Sequence, residues 1–216
     1  MLLGRTNEAF RDAWLRLELP TQAADIAPLA NAAFDSGRPM DLSVRPVLWG
    51  GHLRQREGWD TRVVYAQGSF DYERASDHTH AIDLVQSNLI ETLSALGRMQ
   101  LDFYALPIRR VVEEFQIAGA LEALEAARSE GHVRFSALSV QGPALAALAT
   151  WQFHDAFEVL VFDHDDEDAE TTLVPMAQSR RVGIVRRIDR ASYETSAPDG
   201  YRLVRIRSAA EGESLP

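Results

Sequence analysis

The feature that most constrains this chain is the alternation of short apolar runs with amphipathic stretches from one end to the other. Residues 132–140, 157–163 and 182–188 are apolar enough to be covered on both faces. A sheet wetted on one face alternates apolar and polar side chains, so such runs are characteristic of parallel strands packed beneath helices. Eight strand candidates follow: residues 15–19, 40–47, 61–68, 101–106, 132–140, 157–163, 182–188 and 201–207, the second weakened by Pro46. Helical periodicity fills the gaps over residues 21–35, 82–97, 117–131, 143–149 and 169–179, with Gly37, Gly97 and Gly131 as stops. Thr21 is the expected cap of the first helix, and Leu89, Ile90, Leu93 and Leu96 form the expected buried face of the second. Residues 48–60 read as a loop or short helix and residues 71–80 as a polar loop.

This order predicts an α/β fold, a (β/α)8 TIM-type barrel in one domain spanning residues 1–216. A doubly wound open sheet is the rival, and no GxGxxG turn supports its dinucleotide-binding form. At 216 residues the chain is short for a barrel, so a barrel shortened or incomplete at its C-terminal end is expected.

Composition removes several chemistries. Cys is absent, which excludes disulfides, thiolate nucleophiles and Cys-ligated metals. Every one of the 22 basic residues is Arg. Without Lys the chain cannot form a Schiff base or build a P-loop. The net charge of −10 argues against nucleic acid and anionic membranes as partners. The N-terminal stretch lacks a signal-peptide core and no run has transmembrane length, so a cytoplasmic location is expected.

Four stretches carry a family resemblance: LGRTN (3–7), LIETLSALGRMQLDFYAL (89–106), ALEAARSEGHVRFSALSV (123–140) and FEVLVFDHDDEDAETTLVPMAQSRRVGIV (157–185). In order and spacing they resemble the aldo/keto reductases over residues 3–188, leaving 189–216 as a divergent tail. The resemblance implies a TIM barrel with its site at the C-terminal strand ends, and NADPH-dependent carbonyl reduction. That reaction needs an acid beside the carbonyl oxygen, which the family supplies as a Tyr tuned by Lys and Asp, with a His orienting the substrate.

The matching positions lack most of these groups. The Asp falls near Asp41, the Tyr on Pro46 or Trp49, the Lys on Gln67 and the His on Pro107. An indole N–H is too weak an acid to replace a phenol, and a neutral amide cannot depress a phenol's pKa as an ammonium does. On the cofactor side the Ser-Asn pair reads Ser139-Val140 and the Gln of strand six reads Val161. The tail is expected to be too short for the family's 2′-phosphate clamp. No cofactor and no metal are therefore expected.

A barrel would gather Asp41, Gln67, Ser69, Arg109, Arg110, Ser139, Gln141, Asp163, His164, Asp165, Arg186 and Arg187 at one mouth. Trp49, Gln67, Arg109, Arg110, Ser139, Arg186 and Arg187 are the expected substrate-binding residues. The two Arg pairs suggest an anion site, since guanidinium forks bind carboxylates bidentately. His164 with Asp163 or Asp165 is a candidate acid/base pair, with Asp41 the other candidate catalytic group. His78 and His80 could approach a metal, but a helix cap by Asp77 or Thr79 is the better reading.

Three functions follow. The leading one is a reductase-like protein that has lost NADPH-dependent reduction and binds or transforms a small, possibly anionic, organic molecule without redox chemistry. The second is a noncatalytic interaction or regulatory protein whose exposed barrel edge takes a protein partner or a second copy. The third is an NADPH-dependent oxidoreductase with an atypical relay.

Overall fold

A computed structural model describes residues 2–196 and 200–215. Residues 197–199 of the expected tail, together with Pro216, lie outside the described residues. Eight parallel strands close a barrel in the order β1 to β8: Ala13–Leu17, Met40–Asp41, Val64–Gln67, Leu101–Ile108, Val133–Val140, Val159–Asp163, Gly183–Asp189 and Tyr201–Ile206. The helices are α1 (Ile26–Asp35), α2 (Pro46–Leu53), α3 (His78–Leu96), α4 (Glu114–Ser129), α5 (Ala144–Trp151), α6 (Glu167–Thr172), α7 (Val174–Ser179), α8 (Arg190–Ser196) and α9 (Ala209–Glu213).

The expected incompleteness does not occur. Strand β8 pairs with β1 from Ala13↔Arg202 to Leu17↔Ile206, so the YRLVRI segment fills the edge left by the first seven strands. Among the described residues the barrel has no open strand edge, and a partner added there would have to displace β8.

Side chains alternate across each strand, and the two faces feed two cores. Outward residues such as Leu15, Leu106, Leu138 and Leu160 pack under the helices. Inward residues fill the barrel: Trp14, Tyr65, Phe103, Ala105, Ala137, Val159, Val161, Val185, Tyr201 and Leu203. The barrel floor is aromatic, with Phe103 stacked 4.9 Å from Trp14 and 5.3 Å from Phe135 between ring centroids.

Several boundaries move, each for a local reason. Strand β1 starts and ends two residues before the expected 15–19, because its β8 pairing begins at Ala13 and Leu19 lies beyond the rim, 42% exposed. Strand β2 is only two residues long; Pro46 starts helix α2 instead of continuing a strand. Thr21 does not cap α1, whose N-cap residue is Asp25. Asp77 caps α3 as expected, accepting from the His80 N–H, which starts that helix at His78. Ile90 faces solvent on α3, while Leu89, Leu93 and Leu96 are buried. The expected helix over 169–179 is two short ones, with Pro175 in the first turn of the second. No helix among the described residues is long and apolar enough to cross a membrane.

Helix α2 shows how tightly the outer layer is set. A Cβ on Gly50 would lie 2.0 Å from the Ala95 carbonyl oxygen of α3, whereas one on Gly51 would meet nothing within 4 Å. Gly50→Ala is therefore expected to destabilise the fold by about 3 kcal/mol. Gly51→Ala should stabilise it by about 0.5–1 kcal/mol through helix propensity alone. Paired denaturant titrations check this, and equal midpoints for the two variants would contradict the α2–α3 packing.

Candidate functional site at the barrel mouth

The C-terminal strand ends carry the polar residues of the barrel interior. Asp41 ends β2 and is fully buried. Its Oδ1 accepts from the Ser43 N–H at 2.9 Å and from the Ser43 hydroxyl. Its Oδ2 lies 3.5 Å from Arg16 Nη1 and has no hydrogen-bond partner. Burial pushes the Asp41 carboxyl above the usual range; Arg16, the two Ser43 hydrogen bonds and Arg187 pull it back without restoring it.

Gln67 ends β3. Its Oε1 accepts from the Ser139 hydroxyl at 2.8 Å and from Gln141 Nε2 at 2.7 Å. Ser139 Oγ in turn accepts from Gln141 Nε2 at 2.9 Å and Arg187 Nη1 at 3.2 Å. Arg187 is 3% exposed. Its Nε and Nη2 reach the two Asp163 oxygens at 3.1 and 3.3 Å, and Nη2 also donates to the Val140 carbonyl. Burial lowers the Arg187 pKa, and Asp163 is the first group to oppose that. Arg205 Nη2 shares Asp163 Oδ1 at 3.0 Å, while its Nη1 holds Asp189 at 3.2 Å. The mouth is thus filled by a continuous network, Gln67–Ser139–Arg187–Asp163–Arg205–Asp189. Beside it lies a polar cavity of about 180 Å³ lined by Asp163, His164, Asp165, Arg187, Asp189 and Arg205.

The other expected site residues go elsewhere. Adjacent residues of a strand point to opposite faces, so Arg186 leaves the barrel and makes a bidentate pair with Glu170 at 2.7 and 3.0 Å. Arg109 and Arg110 lie past the end of β4. Both place Nε on Glu73 Oε2, at 2.8 and 3.0 Å, and Arg109 stacks on Phe70. They clamp the turn Asp71–Arg74 to the segment just after β4, so the two expected Arg pairs do not form one anion site. Trp49 is buried and its indole N–H donates to the Val44 carbonyl, which makes it a brace for the β2–α2 turn. His164 Nδ1 is 4.0 Å from Asp165, beyond hydrogen-bond reach, and both Asp163 oxygens are held by arginines. Ser69 binds its own loop, accepting from the Asp71 N–H. Among the described residues no three His, Asp or Glu side chains converge as a metal site.

Sequence reasoning missed Tyr65 and Arg16. Tyr65 is two residues before Gln67 on β3, so the period of two points both inward, and Arg16 shares the inner face of β1 with Trp14. The Tyr65 phenol is 1% exposed. Burial pushes its pKa upward and the Asp41 carboxylate pushes it further, against smaller pulls from Arg187 and Ser139. The other four tyrosines are also buried. Tyr72 donates to the Pro107 carbonyl and Tyr104 to Asn88 on α3. Tyr201 lies beside the Phe10 N–H and Tyr193 lies under Arg190 and Arg202.

No protein-family model and no curated protein matches the chain. Solved structures do. An aldo-keto reductase from Bacillus halodurans in its apo form superposes with a TM-score of 0.71 at 12% identity, covering all of this chain and 90% of that one. Its holo form matches at 0.61 and 16% identity over 79% of this chain, which spans only 58% of it. The aldose reductase of Schistosoma japonicum matches at 0.71 and 12% identity, over 98% of this chain and 84% of that one. An aldo/keto reductase from Klebsiella pneumoniae, in complex with NADP and acetate, matches at 0.67 and 15% identity over 92% and 70%. The chain therefore has the fold of the aldo-keto reductases.

That fold brings NADPH into question, and the residues present do not fit it. The cavity over β6 to β8, about 180 Å³, is below the roughly 300–1,000 Å³ of small-molecule sites. Its rim presents the carboxylates of Asp163, Asp165 and Asp189 to a polyanion, and both of its arginines are engaged. Ser139 Oγ is committed to Gln67, and the neighbouring Val140 and Val161 offer no side-chain hydrogen bond.

The buried Asp41 sets a pH dependence. A carboxyl whose folded pKa is raised contributes stability fully below its ordinary value of 3.8, and that contribution is lost as pH rises through the higher folded value. Asp41→Asn should therefore gain in Tm relative to the wild type as pH rises above the ordinary carboxyl value of 3.8. A Tm difference that stays constant as pH rises would contradict the burial of a charged Asp41.

Proposed function

We propose that this chain is an aldo/keto-reductase-like barrel that no longer carries out NADPH-dependent carbonyl reduction and instead takes a small organic molecule at its mouth without redox chemistry. The observation that carries the reading is the Arg187–Asp163–Arg205 network across the strand ends, with Gln67 at the position matching the family's Lys. Hydride delivery to a carbonyl carbon leaves negative charge on oxygen, and a proton donor must meet it there. The mouth offers amides, guanidinium groups, carboxylates, the Ser139 hydroxyl bonded to Gln67 and the buried Tyr65 phenol. Guanidinium groups at ordinary pH hold their protons too tightly to relay them.

The runner-up reading, a reductase with an atypical relay, has one observation in its favour: Tyr65 lies near Asp41 and Arg187 as the family's Tyr lies near Asp and Lys. Burial disfavours it, because a phenol whose anion is desolvated and faces a carboxylate is a poor acid. The interaction reading loses its stated surface, since β8 occupies the edge it needed.

The test is direct. Calorimetry with NADPH should give no binding at micromolar concentrations, and NADPH absorbance should stay constant when simple aldehydes are added. Micromolar NADPH affinity, or turnover that disappears in Tyr65→Phe, would overturn the reading in favour of the runner-up.

A further inference from the structure

A second opening lies on the same face of the barrel, between the end of β1 and the start of α2. It is a groove of about 530 Å³ lined by Leu19, Arg45, Pro46, Val47 and Leu48. Leu19 follows β1 and Pro46–Leu48 form the first turn of α2, so both sides of the groove stand at C-terminal strand ends, on the mouth side. Leu19 is 42% exposed and Val47 73%, an apolar surface left open to water beside a polar network. The volume falls within the range of small-molecule sites, about 300–1,000 Å³.

Arg45 is the polar member of the lining. Its guanidinium is exposed and has no hydrogen-bond or ion-pair partner among the described residues, unlike Arg16, Arg187 and Arg205 nearby. Its backbone is also unusual, with φ 60° and ψ 57°, in the left-handed region that a side chain disfavours. Pro46 follows, and a residue before proline is pushed toward extended conformations. Among the described residues, three non-glycine residues have positive φ, Asn7, Arg45 and Arg181, and of these only Arg45 precedes proline. The turn is held by its own bonds: the Arg45 carbonyl accepts from the Leu48 and Trp49 N–H groups, and the Val44 carbonyl from the Trp49 indole. Glycine would satisfy this geometry with less strain. Strain at a ligand-sized groove singles out Arg45 for a functional test.

We propose that this groove binds a monocarboxylate carried on an apolar body, with the Arg45 guanidinium taking the carboxylate and Leu19, Pro46, Val47 and Leu48 covering the body. The charge count selects the ligand. One free guanidinium neutralises one charge, and a dianionic phosphate would leave uncompensated charge against carbon. No carboxylate lines the groove, so the anion meets no like charge there although the chain as a whole is acidic. The proposal deepens the non-redox reading of the mouth and rests on it for the absence of a competing cofactor.

The probe pair is 2-naphthoate and its neutral isostere 2-naphthamide, titrated into the full chain by calorimetry. The acid should bind at least about tenfold more tightly than the amide. Arg45→Gly should erase that preference while leaving Tm equal or higher, because it removes the cation and the strain together. Val47→Asp should weaken both probes. Equal affinity for acid and amide, an unchanged preference in Arg45→Gly, or no naphthoate binding at millimolar concentration would overturn the site. Repeating the titration with NADPH present separates the two readings. NADPH binding with the Arg45-dependent preference intact sinks the non-redox reading alone. A lost preference with no NADPH binding sinks the groove alone.

Discussion

A guanidinium almost withdrawn from water, that of Arg187, governs the mouth of this barrel. A buried cation is tolerated only when an opposite charge and enough acceptors surround it. Asp163, the Ser139 hydroxyl and the Val140 carbonyl meet that demand. Each is thereby removed from other work. Asp163 cannot act as a base for His164, and the Ser139 hydroxyl donates its hydrogen bond to Gln67. Arg205 and Asp189 extend the chain of charges to the rim. The strand ends of β5 to β8 are bridged by the protein's own polar side chains.

Two kinds of surface result on one face. Over β6 to β8 the mouth is polar, small and internally neutralised. Beside β1 and β2 it is apolar, larger and marked by an uncompensated cation. The first is the basis of the proposed loss of dinucleotide binding, and the second is the groove proposed for a monocarboxylate. Fold alone decides neither point, since one barrel supports many chemistries through its loops.

Much of the scaffold was legible because parallel strands under helices must be continuously apolar, which residues 132–140 and 157–163 display. The short strands were less so. Two residues of β2 carry no period, and β1 was misplaced because Leu15, Leu17 and Leu19 alternate even though the last lies beyond the rim. At the site, Asp41, Gln67, Ser139 and Arg187 were legible as inward strand-end residues. Arg186 was misread because one step along a strand reverses the side chain. Arg109 and Arg110 were misread because their partner, Glu73, sits in a turn that no periodicity announces. Arg45 was invisible for a similar reason: a left-handed backbone at a non-glycine residue before proline runs against every local preference.

The persistence of the Arg187 network in solution is the claim on which the account turns, and NMR of the arginine side chains reads it most directly. The Arg187 Nε–H, bonded to Asp163 and shielded from water, should exchange far more slowly than that of exposed Arg45. An Arg187 resonance that exchanges with solvent as fast as that of Arg45 would mean that the mouth is open, and the account would fail.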